Sequence, residues 1–136
     1  MEATRREMAA MIALGSTAAT FSSAAAGVLP SQPKLVHHVF FWLKNPGSQA
    51  DREKLIAGLR LLKGIPVIRK LEIGVPASTE RRDVVDASYD VSELMFFDNA
   101  ADQKIYQDHP VHQNFVKSCG DLWDKVVVYD MAIVPE

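Results

Sequence analysis

The stretch from Leu35 to Leu43 constrains the fold more than any other part of this sequence. It reads Leu-Val-His-His-Val-Phe-Phe-Trp-Leu, so β-branched and aromatic residues occupy both alternating sets of positions. Because successive side chains of a strand point to opposite faces of a sheet, neither face of this strand favours contact with water. The pattern therefore predicts a strand that is covered by protein on both sides.

The periodicity of the rest of the chain predicts helices and strands in the order β-α-β-β-α-β. Capping residues, prolines and glycines place the boundaries between the elements. In chain order we expect a strand over 35–43, a helix over 48–63, strands over 67–75 and 88–97, two short helices over 100–108 and 110–119, and a strand over 123–133. This order is that of the ferredoxin-like α+β fold, a four-stranded antiparallel sheet with helices on one face.

The helix-free face of such a sheet needs a cover of its own. Since the first strand is apolar on both sides, the simplest cover is the same face of a second copy of the chain. The sequence therefore predicts a homodimer in which two sheets pack face to face.

Residues 1–26 differ in composition from the rest of the chain. They hold more than half of its alanines, begin with a charged cluster that includes Arg5 and Arg6, and end in three consecutive alanines at Ala26. A mildly apolar run this short does not form a stable membrane span, and the layout is typical of a signal peptide cleaved after Ala26. The paired arginines resemble a twin-arginine export signal; a Sec-type signal and a retained Ala-rich helix are the alternatives. We expect a linker over 27–34 and an exported domain over 35–136, periplasmic or extracellular.

Composition and motif content exclude several classes of function. Fifteen Lys and Arg stand against 17 Asp and Glu, for a net charge of −2, so there is no basic surplus for nucleic-acid binding. The single Cys119 excludes an intramolecular disulfide and cysteine-rich zinc sites. His37 and His38 are neighbours on a strand and cannot chelate one metal together. The four histidines form no i, i+4 helical pair and have no carboxylate at ligand spacing, so we expect no metal. GxSxG, P-loop and GxGxxG motifs are absent, and we expect no cofactor.

Four segments carry a resemblance to a known family. They are Val36–Lys44, Gly64–Pro66, Ser88–Val91 and, above all, Tyr106–Val116 with its His-Pro-Val-His sequence. Together they resemble the stress-responsive A/B barrel (Dabb) family of dimeric α+β barrel proteins, over about residues 34–134. The resemblance implies two sheets paired face to face and a cavity in each protomer between sheet and helices. Related plant proteins are cofactor-free cyclases of polyketide chains.

The resemblance also implies roles for individual residues. In the plant cyclases a Tyr and the second His of the His-Pro-x-His motif do the acid–base work, and these correspond here to Tyr106 and His112; the first-strand His corresponds to His38. His112 would take a proton next to a carbonyl, and Tyr106 would donate a hydrogen bond to the resulting oxyanion. His38 or Glu93 would orient either group, and a carboxylate on the apolar face of a strand needs a partner. The further candidates for ligand contact are Phe41, Phe96 and His109.

The same residues admit a purely structural interpretation. His109 and His112 would bond backbone groups at a helix start, and Tyr106 would be a core aromatic. Three hypotheses therefore stand: a cofactor-free lyase, cyclase or isomerase that depends on His112, a non-catalytic carrier of a small apolar ligand that depends on Phe41 or Phe96, and a stress-associated structural oligomer without a ligand.

Overall fold

The computed structural model describes residues 31–136, so the expected signal peptide and the first half of the expected linker lie outside the described residues. The elements are β1 (Leu35–Leu43), α1 (Gln49–Leu61), β2 (Lys70–Gly74), β3 (Val91–Phe97), α2 (Ala100–Asp108), α3 (Pro110–Cys119) and β4 (Trp123–Ala132), with 3-10 turns at Leu62–Gly64 and Gly120–Leu122. The predicted order of elements is confirmed. None of the helices within 31–136 is long and apolar enough to cross a membrane.

Two strands are shorter than the alternation predicts. A turn closed by the Ile68 amide on the Ile65 carbonyl occupies the expected start of β2, so the chain joins the sheet only near Lys70. β3 begins at Val91, and the residue before it, Asp90, bonds to β1 through its side chain, which accepts the Leu43 amide at 2.8 Å. Apolar and polar residues alternate through both stretches in the sequence. This alternation shows which side chains are apolar, but it does not show which backbone amides pair with a neighbouring strand.

The four strands form one sheet in the order β2-β3-β1-β4, and every neighbouring pair is antiparallel. In this register Val39 of β1 lies opposite Glu93 of β3 and Val128 of β4. Residues directly opposite each other share a face, so the register divides the strand residues into two sets. This is the ferredoxin-like arrangement.

Local signals start the helices where the sequence predicts. Ser48 accepts the Asp51 amide at 3.2 Å, and Gly47 before it has a φ of +83°, which favours glycine. Asn99 caps α2 in the same way, by accepting the Asp102 amide at 2.8 Å.

The core lies between the helices and one face of the sheet. Leu55 and Leu59 of α1 are fully buried there against residues of β1 and β3. At Gly58, α1 approaches α3 so closely that an added Cβ would lie 2.6 Å from the Cys119 Sγ. This close contact sets the distance between the two helices.

The other face of the sheet, which we call the open face, carries no helix of the described chain. The apolar, aromatic and histidine residues that the register assigns to it are Val36, His38, Phe40, Trp42, Leu94, Phe96, Val127, Tyr129 and Met131. The polar residues on the same face are Ser92, Lys125, Lys70 and Glu72. Tyr129 and Met131 are 66% and 53% exposed. The strand that the sequence predicts to be covered on both sides is therefore covered on one side by its own helices and has an apolar second face.

Candidate functional site

A cavity of about 160 Å³ lies between the sheet and the helices α2 and α3. Its wall is largely apolar and includes Val39, Phe41, Phe115, Val116, Trp123, Val126 and Val128. Four titratable side chains also line it: His37, Glu93, Tyr106 and His112. The cavity thus combines an apolar surface with a group of acids and bases, as small-molecule sites commonly do.

Glu93 projects from β3 beneath the helices and is only 2% exposed. Its Oε1 accepts a long hydrogen bond from the Tyr106 hydroxyl at 3.5 Å, and its Oε2 has no protein partner in the described chain. Burial raises the pKa of Glu93 from 4.5 to about 8, while the Tyr106 hydrogen bond lowers it in part. Glu93 is therefore mostly a neutral acid at pH 7.

Tyr106 is a fully buried residue of α2. Burial, together with the adjacent Glu93, raises the pKa of the Tyr106 phenol above its usual value. The phenol accordingly keeps its proton and acts as a hydrogen-bond donor, with Glu93 as its partner.

His112 lies in the first turn of α3, beside Tyr106, with 4.7 Å between the ring centroids. Its Nδ1 lies 3.0 Å from the Gln107 carbonyl oxygen, which can only accept, so Nδ1 carries the proton. Burial lowers the pKa of His112, partly opposed by the Gln107 hydrogen bond. A neutral His112 in this tautomer has its basic lone pair on Nε2, as a general base requires.

The histidine of β1 that faces the cavity is His37, whereas the sequence analysis assigned His38. His37 Nδ1 lies 2.5 Å from Asp130 Oδ1 of β4, and its ring centroid is 5.7 Å from that of Tyr106. His38 lies on the open face, stacked on Phe40 at 4.2 Å between centroids. His38 therefore lies on the opposite face of the sheet from Tyr106 and His112, which it was expected to orient.

Alternation in the strand contains the signal for this correction. His37 shares its face with Phe41, which the sequence analysis placed at the site, and adjacent strand residues face opposite ways. Because Phe41 was placed at the site, alternation predicts that the β1 residues two and four positions before it, Val39 and His37, face the site as well. Asp130 lies far along the chain, and no local pattern indicated that it pairs with His37.

Some of the remaining candidate residues lie in the cavity, and others lie outside it. Phe41 and Glu93 line the cavity. Phe96 lies opposite Val36 on the open face, because β3 alternates in step with β1. His109 is the N-cap of α3 and its Nδ1 accepts the Val111 amide at 3.1 Å, so it has the capping role of the structural interpretation. Within residues 31–136 no group of three or more potential metal-ligating side chains comes together.

Comparisons with known proteins place this geometry among related folds. Residues 35–133 match the family model described as Stress responsive A/B Barrel Domain. No curated protein matches the sequence.

Solved structures match across most of the domain. A hydroxynitrile lyase from Passiflora edulis is 24% identical, with 76% of this chain and 97% of that chain covered and a TM-score of 0.63. A Dabb family protein with a ferredoxin-like fold from Mesorhizobium loti is 22% identical over 76% and 100% of the two chains, with a TM-score of 0.61. A dimeric ferredoxin-like protein of unknown function from Thermobifida fusca is 19% identical over 76% and 93%, with a TM-score of 0.60. At these identities the likeness is one of fold.

Proposed function

This chain belongs to the stress responsive A/B barrel domain family, and on that premise we propose that it binds a small, mostly apolar molecule between its sheet and helices and performs cofactor-free acid–base chemistry on it. The observation that carries the proposal is the His112 imidazole, held by the Gln107 carbonyl in the tautomer of a base and set beside the Tyr106–Glu93 pair. The fold-related lyase from Passiflora edulis is consistent with chemistry of the lyase, cyclase or isomerase type.

In the proposed step His112 Nε2 takes a proton from the carbon next to a carbonyl group of the substrate. The electron pair of the broken C–H bond moves onto the carbonyl oxygen and forms an enolate. Hydrogen-bond donors of the cavity stabilise that oxygen, and the low polarity of the surrounding walls strengthens their effect. His112 then returns the proton to the enolate or to a leaving group, so the enzyme ends in its starting state.

The test is exchange of the methyl protons of 4-fluoroacetophenone for solvent deuterium, followed by NMR. We expect His112→Gln to lower the protein-dependent exchange rate by about 10²-fold or more, the range for loss of a general base. His109→Asn is the matched control, because it keeps a good N-cap at the same helix start and lies outside the cavity. Equal rates in the wild type and His112→Gln would refute the catalytic proposal.

A non-catalytic carrier is the second candidate, and the apolar wall around Phe41, Phe115 and Trp123 favours it. A carrier retains 4-fluoroacetophenone in His112→Gln and loses it in Phe41→Ala. Phe96→Ala, which changes only the open face, serves as the control. Binding that depends on Phe41 without any proton exchange would therefore select the carrier over the enzyme.

We further propose that the open face pairs with the same face of a second copy. Its exposed apolar residues support this assembly, and so does the dimeric description of the Thermobifida fusca neighbour. Phe40→Glu should convert the dimer to a monomer in sedimentation or light-scattering measurements. Leu61→Glu, at a helix position that is already 71% exposed, should leave the dimer intact. A wild-type monomer would refute the pairing.

Export, to a periplasmic or extracellular location, rests on the sequence of residues 1–26 alone. N-terminal sequencing of the protein from its producing cells tests it. A mature chain that begins at Gly27 supports cleavage of a signal peptide, and a chain that retains residues 1–26 contradicts it.

A further inference from the structure

One carboxyl oxygen of Glu93 is buried without a hydrogen-bond partner in residues 31–136. Glu93 Oε2 is buried and has no hydrogen-bond partner in the described chain, although its own side chain lines the cavity. The other oxygen, Oε1, accepts from the Tyr106 hydroxyl. A buried polar atom without a partner is costly, and one in the wall of a cavity has a natural partner in a bound molecule.

The hydrogen bond from Tyr106 also locates the carboxyl proton. Since Oε1 is engaged with the Tyr106 hydroxyl, Oε2 is the carboxyl oxygen that has its proton available for another acceptor. With its proton on that atom, Glu93 is a hydrogen-bond donor at Oε2, in a side chain that lines the cavity.

Burial favours this neutral form, and among the described residues the one contact that opposes it is the Tyr106 hydrogen bond. Glu93 lies opposite Ile73 of β2, and it shares the cavity wall with His37 of β1, Tyr106 of α2 and His112 of α3. Asp130 of β4 pairs with His37 and does not line the cavity. No lysine or arginine lines the cavity within residues 31–136. Without a fixed cation, a buried carboxylate is disfavoured, in agreement with the pKa of about 8.

We propose that Glu93 donates a hydrogen bond from protonated Oε2 to an oxygen acceptor of the bound molecule, such as a carbonyl, and so restricts the cavity to uncharged ligands. A ligand carboxylate would enter a buried site that holds no permanent cation, beside Glu93 itself, and would lose its hydration without compensation. This inference rests on the proposed small-molecule binding, but it does not depend on catalysis.

Three matched probes that 19F NMR can follow test the inference. They are 4-fluoroacetophenone, which has a carbonyl, 4-fluorobenzoate, which has a carboxylate, and 4-fluorotoluene, which has neither. At pH 6 the wild type should bind the ketone roughly tenfold more tightly than 4-fluorotoluene, the effect of about one hydrogen bond, and more tightly than the carboxylate. The preference for the ketone should decline as the pH rises through about 8.

Two substitutions separate the hydrogen bond from the shape of the cavity. Glu93→Gln keeps a donor of similar size that does not titrate, so the ketone preference should persist and lose its dependence on pH. Glu93→Leu removes the donor, so the ketone should bind no better than 4-fluorotoluene. Thermal unfolding of both variants checks that they fold.

The outcomes distinguish this inference from the proposed function. If the probes bind but Glu93→Leu keeps the ketone preference, or if the wild type holds 4-fluorobenzoate as tightly as the ketone, the inference is overturned and the cavity function stands. If none of the probes binds, both are overturned. Selective, Glu93-dependent binding without proton exchange supports the inference and refutes only the catalytic step.

Discussion

The buried Glu93 should make the stability of this protein fall as the pH rises. Its pKa is 4.5 when unfolded and about 8 when folded, because burial penalises the charged form. A raised folded pKa means that the stabilising contribution is complete below about pH 4.5 and is lost as the pH rises through about 8. Replacement by Gln, which resembles the neutral acid, should abolish this loss.

The size of the effect follows from the two pKa values. Each pKa unit corresponds to 1.36 kcal/mol, so the loss amounts to about 5 kcal/mol once Glu93 is ionised in both states. About 3 kcal/mol of that is already lost at pH 7, because Glu93 of the unfolded chain ionises above pH 4.5 while the folded protein still holds its proton. A domain of this size has a stability of roughly 5–15 kcal/mol, so the effect is a large share of the total.

Urea unfolding at about pH 5, 7 and 9, at one fixed protein concentration, measures this effect. The quantity to follow is the free energy of unfolding of Glu93→Gln minus that of the wild type, which should grow by several kcal/mol from pH 5 to pH 9. The subtraction removes the contribution of His112, whose lowered pKa acts in the opposite sense and reduces stability as the pH falls below about 6.5. If the two proteins keep a constant difference across this range, Glu93 is ionised in the folded protein and the reasoning is wrong.

Three further substitutions probe the packing and hydrogen bonds around the site. Gly58→Ala should destabilise the domain by about 1–2 kcal/mol in urea unfolding, because the clash with Cys119 Sγ and the close approach to the Phe115 ring at 3.1 Å outweigh a helix-propensity gain of about 1 kcal/mol. In a Cys119→Ala background only the Phe115 contact of these two remains, so the loss should be smaller, and additive effects would contradict the clash with Cys119. Asp90→Ala should lower the free energy of unfolding by about 1–3 kcal/mol, because it leaves the buried Leu43 amide unpaired. Asp90→Asn keeps an acceptor for that amide and should lower the free energy of unfolding less. Equal losses in the two variants would contradict the role of the Asp90–Leu43 hydrogen bond. Tyr106→Phe should raise the pKa of Glu93 further, since it removes the hydrogen bond that lowers it, and a 13C NMR titration of the Glu93 carboxyl would detect an unexpected fall.

Much of the fold was predictable because its signals are local. The cap at Ser48, the stop at Gly64 and the proline at the start of α3 each act within a few residues, and the structure places helix ends close to them. The segment from Tyr106 to Val116 indicated the family on its own sequence, and the family model covers it.

The site was predictable only in part. Tyr106, His112, Phe41 and Glu93 line one cavity, as the sequence analysis expected. His38 and Phe96 were assigned to it without regard to strand alternation, which places them on the open face.

The sequence by itself determined the order of elements, the family and the apolar character of both faces of β1, since periodicity, capping and motif spacing are properties of neighbouring residues. Only the tertiary structure decided which histidine of β1 faces the helices and that Asp130 is its partner, because these depend on the register between strands distant in the chain. The protonation of Glu93 likewise depends on the helices above it: the same carboxyl on the surface would be an ordinary charged group.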